Sequence, residues 1–250
     1  MDKREIKKAI IIGATSGIAR SVSIELANRN YELILVARDY EELQRISADL
    51  KIRNLNLNKI YVLNILEHAS IKPTIKKILN ENEDIDEMYF FIGYLGDQQL
   101  AQNDWQERER ILDINYKMPV HILSIFASYF EKQKKGKMII IGSVAGDRGR
   151  QSNYFYGSAK AGLHIFAQGL RNRLNKNNVH VMTVKLGFID TAMTFGLSGL
   201  FFVASPQKAA MRILKAASKN KDVVYIPFFW KYIMLIIKSI PETIFKKLSL

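Results

Sequence analysis

Tyr156 and Lys160 stand four residues apart in the stretch Tyr156-Gly-Ser-Ala-Lys160, and Ser143 precedes them, just after the apolar run Met138–Ile141. On a helix, residues i and i+4 share a face, so this spacing sets an ammonium beside a phenol. A phenol ordinarily titrates near pH ~10, and a neighbouring positive charge stabilises phenolate and draws proton transfer toward the physiological range. A strand through Met138–Ile141 would deliver the Ser143 hydroxyl beside the same helix, so that two donors converge on one carbonyl oxygen. Tyr154 has no lysine four residues on and is read as a packing residue. By themselves these residues fit a chance pair on a solvated helix equally well; the elements around them decide.

Ala9–Ile12 is a short unbroken apolar run that ends in Gly13-Ala-Thr15-Ser16-Gly17-Ile18-Ala19, after which apolar residues recur at helical spacing. Leu33–Ala37, Ile60–Leu63, Met88–Ile92, Lys137–Ile141, Val179–Lys185 and Val223–Ile226 read as further strands. Between them lie helical patterns over Tyr40–Leu50, Ile71–Leu79 with Pro73 in its first turn, Trp105–Phe130 as one long helix kinked at Pro119, Tyr156–Leu174, and Ser205-Pro206 to Lys219. Strands that are apolar on both faces and alternate with helices predict an α/β fold: a doubly wound, mostly parallel, Rossmann-like sheet covered by helices on both sides. The reading places one Rossmann-like domain over 1–226. Within it, 187–204 is a lid rich in exposed apolar candidates (Phe188, Met193, Phe195, Leu200, Phe201, Phe202), and 227–250 is an apolar and basic extension. The long helices suit pairing in a homodimer or homotetramer.

With 250 residues, 48% of them hydrophobic, the chain can bury a full core. It has no Cys and four scattered His, which excludes disulfides, thiolate chemistry and a metal site of ordinary ligand spacing. A reducing, cytoplasmic setting fits. The net charge of +13 calls for anionic partners, which are nucleic acid, lipid headgroups or phosphorylated cofactor and substrate. No interleaving of aromatic and basic residues marks a nucleic-acid face. The basic N-terminus runs directly into a glycine turn, so it reads as the first strand rather than a signal peptide. The tail from Pro227 to Ile237 is broken by Lys231 and followed by Pro241, short of the roughly 20 apolar residues of a spanning helix. It reads as an interfacial anchor on the cytosolic face of an anionic membrane, or else as a helix docked on protein.

A glycine turn between strand and helix offers backbone N–H groups and the positive helix end to a pyrophosphate. At the end of the second strand stands Arg38, suited to a ribose 2′-phosphate, with Asp39 next to it. That favours NADP(H) over NAD(H).

The turn Gly13 to Ile18, Asn115 in Leu-Asp-Ile-Asn, Ser143 and Tyr156-x-x-x-Lys160, in that order, resemble the classical short-chain dehydrogenases/reductases from about Lys7 to Ile226. The resemblance implies Tyr156 as general acid, Lys160 lowering its pKa and holding the nicotinamide ribose, Ser143 orienting the carbonyl, and Asn115 keeping a water for the proton relay. It implies cofactor contacts at Gly13, Thr15, Ser16, Gly17, Ile18, Arg38, Asn64, Gly93, Tyr156, Lys160, Gly187, Ile189 and Thr191. The chain departs from the family's pattern at Phe91-Ile-Gly-Tyr-Leu-Gly96, at Asn64 and at Leu186-Gly187. Tyr94-Leu-Gly-Asp97, the stretch Ser152 to Leu163 and the tail from Val224 to Leu248 are similar to the subgroup that reduces decaprenylphosphoryl-2-keto-ribose. That implies reduction at C2 of a lipid-linked keto-pentofuranose to the arabinose epimer, with a flavin-dependent oxidase as partner. The alternatives are a reductase of another lipophilic ketone (3-oxoacyl, 3-ketosphinganine or steroid) and a non-catalytic basic binding protein on the same fold.

Overall fold

The computed structural model describes residues 6–53, 58–196 and 202–248. Seven strands, β1 (Lys8–Ile12), β2 (Glu32–Ala37), β3 (Lys59–Val62), β4 (Glu87–Phe90), β5 (Gly136–Ser143), β6 (Val179–Leu186) and β7 (Val223–Ile226), form one sheet in the order β3-β2-β1-β4-β5-β6-β7. Every pairing is parallel. The apolar runs are unbroken because both faces are covered: Ala9, Ile11, Leu33 and Leu35 enter one core, while Ile10, Ile12, Ile34 and Val36 enter the other. Helices α1 (Gly17–Asn28), α2 (Tyr40–Arg53) and, later in the chain, α8 (Pro206–Ser218) cover the first core. Helices α3 (His68–Glu81), α6 (Met118–Gln133) and α7 (Tyr154–Asn175) cover the second. Between them in the chain come α4 (Gln98–Asn103) and α5 (Trp105–Leu112). The chain doubles back between β1 and β4, the place in such sheets where a crevice opens beyond the strand ends.

Two expectations need correction. The helix predicted from Trp105 to Phe130 extends to Gln133, with Pro119 in the first turn of α6. It is interrupted earlier by a single wide π turn, Asp113–Lys117, which carries Asn115. Pro73 lies inside α3 rather than in its first turn, because that helix begins at His68. Ser205 caps α8 as expected, its hydroxyl accepting from Lys208 N at 3.3 Å.

The tail forms α9 (Trp230–Ser239) and the short α10 (Glu242–Phe245). One face of α9 is docked: Trp230 and Met234 are buried against Val144, with Phe188 and Tyr225 around them. A Cβ at Gly187 would overlap the Trp230 indole, so glycine at that position is what lets α9 approach. The other face is open, with Tyr232 57%, Leu235 63% and Ile236 67% exposed. Among the described residues no helix is long and apolar enough to cross a membrane. Leu200 and Phe201, expected in the lid, lie outside the described residues; the segment before them is closed at its base by Asp190 N donating to Ala204 O at 2.9 Å.

Trp230→Ala, which empties a buried site, is expected to lower unfolding stability in urea by about 3–5 kcal/mol. An unchanged midpoint would mean that the tail does not pack on the body.

Candidate active site

Elements on both sides of the β1/β4 crossover build the site. Gly13 follows β1 with φ of +82°, and its N–H donates to Val36 O at 2.8 Å. Only glycine adopts that backbone without strain. The chain then turns into α1, where Ser16 caps the helix by accepting from Ala19 N at 3.2 Å, and Gly17 opens the first turn. Thr15 is half-buried beside Ser16, and Ile18 is buried and fixes the helix to the sheet. The result is a row of backbone N–H groups at a positive helix end.

An open cleft at the ends of β2 and β3 is lined by Arg38, Asp39, Asn64, Glu67, Ser70 and Thr74. Asp39 Oδ1 accepts from Glu42 N at 3.0 Å and caps the start of α2, so its carboxylate serves a helix. Arg38 is exposed, with no ion pair to any described residue. Asn64 is turned inward on its own loop, donating to Glu67 Oε1 at 2.9 Å and accepting from Leu66 N at 3.2 Å.

On the other side, β5 ends at Ser143, whose Oγ accepts from Ala145 N at 3.1 Å. Tyr156 and Lys160 lie on the inner face of α7, both buried. Burial pushes the Tyr156 phenol up to about 12, and a hydrogen bond with Ser143 opposes that rise. Burial pushes the Lys160 ammonium down to about 8. The lysine nitrogen donates to Ile92 O at 3.4 Å and stands 5.7 Å from the Tyr156 ring centre. At this depth the loss of water raises the phenol and favours its protonated form.

Asn115 is fully buried in the π turn. Its Oδ1 accepts from Tyr94 N at 3.1 Å, and its Nδ2 donates to Tyr94 O at 2.6 Å and Ile111 O at 2.8 Å. Its side chain thus clamps the loop after β4. Gly93 in that loop faces Lys160 Nζ, Asn115 Oδ1 and the Met193 methyl, each 3.4–3.5 Å from where a Cβ would stand. Gly187 and the buried Ile189 follow β6, and the Thr191 methyl approaches Gly17, so the segment after β6 begins opposite the glycine turn. The structure thus gathers Ser143, Tyr156, Lys160, Gly93 and Asn115 at one end of the crevice and Gly13 to Ile18 beside it, with Arg38 and Asn64 at the far end. Sequence spacing missed a second set, Asp147, His164, Lys185 and Tyr225, which meet behind Ser143. Their separation along the chain leaves no motif; a lysine inside an apolar strand was the available signal.

A model of the short chain dehydrogenase family matches residues 7–198. An uncharacterized oxidoreductase of Mycobacterium tuberculosis is 27% identical over 248 residues, 99% of each chain. The 3-oxoacyl-[acyl-carrier-protein] reductase of Escherichia coli is 31% identical over 194 residues, 78% of each chain. Among solved structures, a short-chain dehydrogenase from Sphingobium yanoikuyae in complex with NADPH superimposes with a TM-score of 0.81 at 21% identity, covering 95% of this chain and 97% of that one.

In a lysine-selective NMR titration, one ammonium is expected to lose its proton near pH 8. That signal should vanish in Lys160→Met. If every lysine stays charged to pH ~10, the ordinary range, Lys160 is not desolvated as described.

Proposed function

The chain belongs to the short chain dehydrogenase family and is an NAD(P)-dependent oxidoreductase, and we propose that it uses NADPH to reduce the ketone of a lipid-linked keto sugar. The observation that carries the chemistry is the convergence of the Ser143 hydroxyl and the buried, protonated Tyr156 phenol next to Lys160.

The residues present fit NADP(H). The N–H row of Gly13, Thr15, Ser16, Gly17 and Ile18 suits a pyrophosphate. Arg38 suits a 2′-phosphate, while one oxygen of the neighbouring Asp39 is engaged in capping α2. Asn64 would line the adenine side, Gly93, Tyr156 and Lys160 the nicotinamide ribose, and Gly187, Ile189 and Thr191 the nicotinamide. When bound, the nicotinamide supplies hydride to the carbonyl carbon. Tyr156 gives its phenolic proton to the carbonyl oxygen, and Ser143 donates a hydrogen bond to that oxygen and holds it in place. The Lys160 charge stabilises the phenolate left behind, and Asn115 holds the Gly93–Tyr94 loop against them.

Apolar surface supports the reading of the substrate class. Phe195 is 88% and Phe202 68% exposed on the lid, and the Phe202 ring lies 5.1 Å from Phe229, which lies 6.1 Å from the exposed Phe228. Lid and tail thus join into one apolar surface, flanked by Lys231, Lys238, Lys246 and Lys247 on a chain of net charge +13. Such a surface suits an anionic bilayer and a substrate whose tail lies in it. We therefore read 1–226 as the reductase body with its lid at 187–204, and 227–250 as the membrane-facing extension. The substrate of choice is a polyprenylphosphoryl 2-keto-pentofuranose, reduced at C2 to the arabinose epimer after a flavin-dependent oxidase has made the ketone. The Escherichia coli relative supports a second reading, a 3-oxoacyl substrate. Pairing of the long helices in a homodimer or homotetramer accords with either.

Tyr156→Phe is expected to keep NADPH affinity while ketone reduction falls by about 10²–10⁴-fold; turnover at the wild-type rate would refute the proposed acid. The protein should co-sediment with phosphatidylglycerol vesicles and release at high salt. The exposed-face variant Leu235→Ser/Ile236→Ser should stay in solution. Equal partitioning of both proteins would sink the membrane reading.

A further inference from the structure

Asp147 ends the short turn Val144–Asp147 that follows Ser143. Its side chain is 2% exposed and meets three elements. Lys185 of β6 pairs with Oδ1, the Tyr225 hydroxyl of β7 donates to Oδ2 at 2.7 Å, and His164 of α7 brings Nδ1 to 3.8 Å from Oδ1. Burial pushes His164 down to about 3, so it is a neutral wedge. Its ring occupies the space that side chains on Gly142 and Gly146 would need, so it packs against the turn on both sides of Ser143. Removing one member of a buried ion pair strands the other as an uncompensated charge, which makes such a pair a device for holding one arrangement.

The next residue reaches the tail. Arg148 pairs with Glu242 at 2.7 Å, donates to Lys238 O at 3.1 Å and stacks 4.1 Å over the Phe245 ring. Val144, adjacent to Ser143, lies against Trp230 and Met234. The residues from Val144 to Arg148 therefore contact β6, β7, α7, α9 and α10, while the Ser143 hydroxyl accepts from Ala145 N within its own turn and shares a hydrogen bond with Tyr156. The orientation of that hydroxyl depends on what holds the turn.

We propose that Asp147 is a positioning residue for the Ser143 hydroxyl and that, through Asp147 and Arg148, the inward face of the C-terminal segment is part of the active-site scaffold. This rests on the reductase reading of Ser143. The outward face of the same segment meets the lipid, so one element seats the enzyme and aligns its carbonyl-orienting donor.

The test compares wild type with Asp147→Asn and the milder Tyr225→Phe, which removes one donor and leaves the ion pair. Each is measured for NADPH binding, for kcat and KM on a farnesylphosphoryl 2-keto-pentofuranose, and for deuterium uptake in peptides spanning 142–150 and, as a control, α1. The expected result is unchanged NADPH affinity, kcat reduced about tenfold to a hundredfold in Asp147→Asn and less in Tyr225→Phe, and faster uptake in 142–150 alone. Unchanged kcat in both variants overturns the proposal, as does unchanged uptake in 142–150. Uptake that rises equally in α1 marks a general loss of stability and also overturns it. If Asp147→Asn does not fold, Tyr225→Phe decides by the same two readings. If wild type reduces no ketone, the reductase reading has failed on its own, and uptake in 142–150 alone decides whether Asp147 holds the turn.

Discussion

The exclusion of water from Tyr156 and Lys160 is the constraint on which the rest of the site depends. Both side chains are buried on α7, and desolvation disfavours the charged form of each. The consequence is a phenol that holds its proton and an ammonium close to losing one. On the proposed reading the phenol must hold its proton to give it to a carbonyl, and the phenolate it leaves is stabilised for as long as Lys160 keeps its charge. Neither property survives if α7 shifts outward. Leu163, Ala167, Leu170 and Leu174 on the same helix are accordingly buried in the second core, tying the helix to the sheet.

Around that pair, each contributor comes from a different strand end. The loop after β4 is clamped by Asn115 from the π turn, the end of β5 carries Ser143, and the segment after β6 brings Gly187. A parallel sheet makes this convergence automatic, since all its carboxyl ends point one way. The C-terminal segment is bound into the arrangement by packing on Val144 and Gly187. It is apolar on two sides because it has two neighbours, the protein body on one and, on the proposed reading, lipid on the other.

Much of this was legible in the sequence. Unbroken runs such as Ala9–Ile12 and Leu33–Ala37 identify strands buried on both faces, and the order of Gly13, Asn115, Ser143, Tyr156 and Lys160 identifies the family. Other features were hidden for physical reasons. A π turn inserts one residue into a helix without removing its apolar stripe, so Ile111, Ile114, Met118 and Ile122 read as continuous. The i, i+4 spacing reveals that Lys160 neighbours Tyr156 but carries no information on depth, and depth adds the desolvation that raises the phenol. Asp147, His164, Lys185 and Tyr225 become neighbours only when β5, β6, β7 and α7 assemble. The tail's apolar residues announce an interface, and only the fold separates Trp230 and Met234, which face inward, from Leu235 and Ile236, which face out.

The central claim, hydride transfer to the ketone of a lipid-linked keto-pentofuranose, is tested most directly by following the transferred atom. The protein is mixed with NADPH carrying deuterium at C4 of the nicotinamide and a prenylphosphoryl 2-keto-pentofuranose, and the sugar product is read by NMR. Deuterium bonded to C2 of an arabinose-configured product is the predicted result. An unlabelled, unreduced sugar, alongside label appearing in a 3-oxoacyl thioester offered in parallel, would contradict it.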